Sequence, residues 1–373
     1  MATSHDDHDH EHVVSMACSM PITKERELPK EIEGTIRARL IRVSDKKWAN
    51  GTEITYYYFT DGPYADKRNN IRFVEKGFQG WAELGIGLKF TRVMDIKDSM
   101  IRIGFLQGDG AWSYVGRDNL TIDMSARTMN FGWDLRGDRR GDGVDTPLHE
   151  IGHMLGFPHE HQNPNAGIVW NEEAVLRNYA RPPNNWDERT TTYNILRKID
   201  KDQVEGSNWD PDSIMHYGFG AGMIRSPEEY SSGLSPEDGL SQKDIETVRT
   251  LYPPLSSDDP IPLRNNQTAN ISDLSEQSEK TFLIEPPSTG NYRMETIGAI
   301  DSLMVLSELL SDGSRRQIGA NDDSGTGDNA LIEANLRAGR KYLLTVRLIF
   351  KADPEADALV SLQQVPGGSS WCC

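Results

Sequence analysis

The run PLHEIGHMLGFPHEH, Pro147–His161, holds four of the nine histidines of the chain within fifteen positions. His149 and His153 are four apart, a spacing that on a helix sets both rings on one side, one turn above the other. Two imidazoles so placed can share one ion at Zn–N distances of about 2.0–2.1 Å. Val144, Leu148, Ile151 and Leu155 recur at steps of four, three and four, which predicts a helix with one buried face. Asp145 and Thr146 are residues that cap a helix start, and Pro147 is tolerated in a first turn. Gly156 permits the left-handed turn that ends the helix and folds the chain back, and His159 then completes a set of three. Glu150 points nearby but off the ligand axis, which suits a proton acceptor. His161, beyond the third ring, reads as a solvated loop residue. A chain carrying this run must pack a helix into a core and return a loop over its end.

The rest of the sequence has room for that core. Its 373 residues, 36% of them hydrophobic, suffice for two domains. The net charge of −17 excludes a nucleic-acid partner, whose phosphates reward Lys and Arg. No apolar run approaches the roughly eighteen residues of a membrane span. The cysteines are Cys18, Cys372 and Cys373, so no disulfide staples the middle of the chain. The first residues lack a basic start and a long apolar stretch, which predicts either export by a non-standard route or a cytoplasmic location. Oligomeric state is left open.

Residues 1–27, with His5, His8, His10 and His12 among acids, read as a polar, solvated His/Asp-rich arm and a possible propeptide. Residues 28–253 predict an α+β domain, a twisted mixed sheet carrying the site helix. The strand candidates are Glu53–Phe59, Gly87–Val93, Ser99–Phe105, Ala111–Arg117 and Thr128–Trp133, and a helix candidate spans Lys67–Leu84. Pro, Ser and Asp mark 254–265 as a linker. Short apolar segments between turn clusters over 266–366 predict a small all-β sandwich, followed by a tail at 367–373.

HEIGHMLGFPHE, His149–Glu160, matches the extended H-E-x-x-H-x-x-G-x-x-H pattern of metzincin zinc peptidases, and a glutamate directly after the third histidine is the variant found in astacins. DPDSIMHYGFG, Asp210–Gly220, resembles the tight turn that puts a methionine beneath the metal, here Met215, with Tyr217 matching the astacin tyrosine that can reach zinc. GAWSYVGR, TMNFGW, HEHQNPNAGIVWNEEAV, PPNNWD and LSQKDIETVRTLYPP extend the resemblance to bacterial and fungal astacin-like and matrixin-like peptidases over about 36–253. HEHQNPN departs from the usual astacin continuation and leaves substrate preference open. The disulfides of animal astacins are missing from this region.

The resemblance implies an endopeptidase acting on protein or peptide substrates with one catalytic Zn2+ on His149, His153 and His159. Glu150 would be the general base and then acid, and Tyr217 would share the stabilisation of the tetrahedral intermediate. The implied substrate edge contains Ala111, Trp112, Ser113 and Tyr114. Asp145, Glu160 and Asp210 are alternative carboxylate partners for the second ring nitrogens. In astacins the glutamate matching Glu160 meets the processed N-terminus, which points to trimming of residues 1–27. Cys18, flanked by MACSMPI, loosely resembles the matrixin cysteine switch and could plug the open zinc position. The rival readings are a catalytically silent zinc-containing binding protein and a metal store built on the His-rich arm. An open fourth position and an intact Glu150 speak against silence. Residues 266–365 resemble the bacterial pre-peptidase C-terminal domain through GNYRMETIG, DSLMVL, NDDSGTGDNALI and LRAGRKYLLTV. There Asp301, Asp322, Asp323 and Asp328 offer oxygen ligands to Ca2+.

Overall fold

Strand β1 (Glu53–Tyr58, EITYYY) alternates half-buried and buried positions, with Ile54, Tyr56 and Tyr58 turned to the core. β-Branched and aromatic side chains suit such a half-covered pleat. This is a computed structural model, and it describes residues 17–23, 46–137, 143–199, 208–255, 260–275, 278–322, 324–351 and 357–365. β1 pairs in parallel with β2 (Lys89–Arg92) and β3 (Ile101–Gly104). β5 (Met129–Phe131) continues in parallel, and β4 (Ala111–Ser113) closes the sheet antiparallel at its edge, in the order β2-β1-β3-β5-β4.

Helix α1 (Ile71–Ala82) crosses between β1 and β2 and buries Phe73, Val74, Phe78 and Trp81. It starts later than expected because the Asp66 carboxylate accepts from Arg68 N and Ile71 N and turns the chain first. Helix α2 (Asp145–Met154) packs on α1 so closely that a Cβ on Gly77 would lie 2.7 Å from Pro147 Cβ. Trp81 Nε1 donates to Leu148 O at 3.0 Å. Two expectations about α2 need correction. Val144 is its N-cap, and no side chain caps it; Asp145 instead accepts from Gly239 N. The helix also buries every residue from Pro147 to Met154 rather than one face.

A second, smaller apolar cluster lies beyond the site and includes Ile168, Trp170, Val175, Tyr179, Ile195, Tyr217 and Phe219. It is built from α3 (Glu172–Tyr179), the turn Thr192–Leu196 that continues α4 (Glu188–Thr191), and the hairpin of β6 (Val169–Trp170) with β7 (Ile224–Ser226). Ala17 and Cys18 are buried in this cluster and Met20 is buried as well, so this part of the arm is packed, while Ile22 is exposed. His5, His8, His10 and His12 lie outside the described residues. Helix α5 (Gln242–Leu251) opens with a reciprocal Ser241–Asp244 capping box.

The C-terminal part forms two sheets. One takes β13 (Arg315–Asn321), β12 (Ile300–Leu309), β15 (Lys341–Lys351), β10 (Glu279–Ile284) and β8 (Ile261–Pro262) in that order; the other takes β14 (Leu331–Leu336), β11 (Gly290–Ile297), β16 (Leu359–Gln364) and β9 (Gln267–Asn270). The stretch read as linker therefore contributes β8. β12 and β15 are buried along nearly their whole length. Leu303, Val305, Ile349 and Phe350 cluster with Ala49 of the first domain. Among the described residues no three acidic side chains converge at the positions offered to calcium: Asp322 pairs with Arg117, and Asp301 is buried within β12. Asp323 and the tail at 367–373 lie outside those residues. No helix among them is long and apolar enough to cross a membrane.

Candidate metal centre

The helical spacing delivers His149 and His153 with ring centroids 4.7 Å apart. The turn at Gly156, where φ is +103°, sends the chain back so that the His159 ring sits 4.6 Å from that of His153. A side chain there would be strained, because that backbone region is open to glycine. His153 Nε2 and His159 Nε2 lie 3.1 Å apart. Two of the other ring nitrogens are held by carbonyls, His149 Nδ1 by Ile214 O and His153 Nδ1 by Phe157 O, each at 2.7 Å. A ring that donates from Nδ1 presents a bare lone pair at Nε2, the form a cation requires. Burial, and after it the neighbouring rings, holds His153 and His159 well below the usual histidine range.

The carboxylates considered for orienting these rings work elsewhere. Asp145 accepts from Gly239 N. Glu160 accepts from Asn163 Nδ2 and Asp210 N, and its burial lifts its carboxyl to about 7. Asp210 accepts from Ser241 Oγ. The carboxylate that does shape the site is Asp244, which takes Ser213 Oγ at 2.6 Å and Ile214 N at 2.8 Å. It thereby sets the carbonyl that meets His149. Its sequence signal was the S-x-x-D start of α5. Met215 lies beneath the helix, its Sδ 2.4 Å from where a Cβ on Gly152 would be.

The fourth corner holds a thiol. Cys18 Sγ and one nitrogen each from His149, His153 and His159 all lie within 4.8 Å of one another. Tetrahedral zinc with these donors needs separations of about 3.3–3.6 Å, so small adjustments seat the ion. Cys18 Sγ donates to Glu150 Oε2 at 3.4 Å, and burial followed by Glu150 pushes the thiol up. A divalent cation at this spot would reverse that preference and leave a thiolate. Glu150 itself is fully buried, its carboxyl raised by desolvation, and its Oε1 has no hydrogen-bond partner among the described residues.

Tyr217 Oη lies 2.8 Å from His159 Nε2 and donates to the Cys18 carbonyl. The arm also covers the free side of β4: Ser19 N donates to Ala111 O at 3.1 Å, and Cys18 bridges Ala111 in parallel. Ala111 and Ser113 are buried, while Trp112 and Tyr114 are half-buried. His161 is not a solvated loop residue. It is 2% exposed, stacked 5.1 Å from His159 and tilted against Tyr217 at 4.5 Å, with Nε2 hydrogen-bonded to Asn194 O. Its ring fills the wall behind the tyrosine, a packing role that no local spacing announces.

Residues 41–253 match the peptidase family described as Astacin. The chain is 34% identical over 155 residues to Tolloid-like protein 1 of Homo sapiens, covering 38% of this chain and 13% of that protein. It is 25% identical over 226 residues to Zinc metalloproteinase nas-36 of Haemonchus contortus, covering 56% of this chain and 31% of that protein. The chain thus spans less than a third of the length of these curated relatives. Among solved structures, myroilysin is 31% identical with a TM-score of 0.49, covering 57% of this chain and 97% of that one.

Proposed function

This chain belongs to the astacin family of peptidases, and from that premise we propose that it is a zinc-dependent endopeptidase whose N-terminal arm keeps it latent. The observation that carries the reading is the convergence of three histidines and the Cys18 thiol around buried Glu150. Zinc held by His149, His153 and His159 would supply Lewis acidity toward a peptide carbonyl and toward water near neutral pH. Glu150, next to the ligand set, would take a proton from the attacking water and pass it to the departing amine. Tyr217 Oη, freed from the Cys18 carbonyl, donates to the oxygen on which negative charge develops. The β4 edge, Ala111–Tyr114, holds an extended protein or peptide substrate by backbone pairing once the arm has left it.

A four-donor structural site is the second reading, and Cys18 on its own favours it. Two features count against it. The fourth donor belongs to an arm that also covers the β4 edge, and a purely structural site has no use for a carboxylate buried beside it without a partner for one oxygen.

The test is degradation of an unfolded protein by the chain with and without Glu150→Gln, both carrying Cys18→Ser and both at equal zinc content. The glutamine variant is expected to lose about 10²–10⁴ in rate. Equal rates refute the base, and activity that survives a strong chelator refutes the metal.

A further inference from the structure

The C-terminal end of α2, which aims His153, is not fixed by α2 itself. The last carbonyls of a helix lack intrahelical partners. Here Met154 O is taken by Trp48 Nε1 at 2.8 Å, and Leu155 O by Tyr252 Oη at 2.7 Å. Tyr252 Oη in turn accepts from Trp48 N at 3.2 Å. The chain at Lys46 and Lys47 also packs against the Gly156 turn, 3.8 Å from where a Cβ would lie. One residue beyond that turn is Phe157, whose carbonyl orients the His153 ring. Trp48 and Tyr252 are almost fully buried.

Trp48 is held from the other domain. Arg347, on β15 and 4% exposed, donates from Nη1 to Trp48 O at 2.7 Å. Glu279, on β10, lies 3.8 Å from Arg347 Nη1 and accepts from Asn50 N at 2.8 Å. Arg117 pairs with Asp322, and Glu53 N donates to Gln317 Oε1 at 2.9 Å, so the contact runs along the junction. A buried carbonyl left without a donor is costly, and losing Arg347 would drive Trp48 to shift. Such a shift passes directly to the end of α2.

We infer that the β-sandwich is a working part of the metal centre, with Arg347 a positioning residue that acts through Trp48 on the aim of His153. This rests on the zinc-peptidase reading above. Placement errors near 1 Å can cost about 10²-fold in rate, and loss of outer partners of metal ligands typically costs about 10–100-fold in affinity.

The test uses the full chain carrying Cys18→Ser, with Arg347→Met, Arg347→Lys, Trp48→Phe and the Arg347→Met/Trp48→Phe pair. Folding is checked by circular dichroism, zinc affinity by chelator competition, and peptide hydrolysis as kcat and KM separately. Arg347→Met and Trp48→Phe are each expected to weaken zinc about tenfold and to lower kcat with KM held. The pair is expected to be no worse than the weaker single variant, because the two residues act in series. Lysine at 347 keeps a donor for Trp48 O and is expected to recover most of the loss. Native zinc affinity in a folded Arg347→Met or Trp48→Phe overturns the inference, as do additive losses in the pair. Should Arg347→Met not fold, Arg347→Gln, which shortens the donor and leaves Trp48 in place, is read by the same outcomes. Failure of the parent chain itself to bind zinc or cleave peptide sinks the peptidase reading instead.

Discussion

At the scale of single residues, the site turns on Cys18. A serine in its place would keep the size and lose the soft donor, since a hydroxyl is a far poorer zinc ligand than a thiolate. The full-length Cys18→Ser chain is therefore expected to hydrolyse a quenched peptide at least tenfold faster than the unmodified chain, with zinc still bound by the histidines. No gain in basal rate removes the plug. The three histidines and Glu150 were legible because one helix turn and one glycine bring them together within eleven residues. Cys18 was only a possibility, because it meets Glu150 across 132 positions of sequence, and no local period carries that information. His161 was misread for the same reason: a polar ring beside a loop looks solvated until the wall of Tyr217 and Phe219 is built around it.

At the scale of elements, α1 and α2 were legible in their apolar steps, and their contact was not. The face of α2 opposite its apolar steps is polar because it carries the metal donors, yet it is buried because those donors face one another and the arm. Gly77 sits where the two helices touch. Alanine there would gain about 1 kcal/mol of helix propensity, but its Cβ would press on a rigid proline ring 2.7 Å away. Overpacking of this kind costs about 1–3 kcal/mol. Gly77→Ala is expected to be net destabilising in urea unfolding at an unchanged slope. A rise in midpoint would mean that the helices have slack. The β4 edge was placed correctly as a strand but ends at Ser113, because Gly116 continues as a 3₁₀ turn held over Lys46 O.

At the scale of the whole molecule, the two domains share a buried junction around Arg347, Glu279 and Ala49. Buried polar contacts that cross a boundary couple the stabilities on both sides. Thermal unfolding followed by tryptophan fluorescence, where Trp48 and Trp81 report the first domain, is expected to coincide with the far-ultraviolet signal of both domains in one transition. Two separated transitions would mean that the junction is too weak to couple them.

The sequence by itself determined the three converging histidines, the adjacent glutamate, the turn at Gly156 and the class of both domains. Each of these is written in short-range spacing, where helix and strand periods act. Tertiary structure alone decided which group fills the fourth corner, which carbonyls and which carboxylate hold the ligand rings, and that a β-sandwich reaches the end of the metal helix. Apart from the Phe157 carbonyl, four residues from His153, those contacts join residues far apart in the chain. Their energies come from burial and from pairing polar groups away from water, and neither exists until the core has closed.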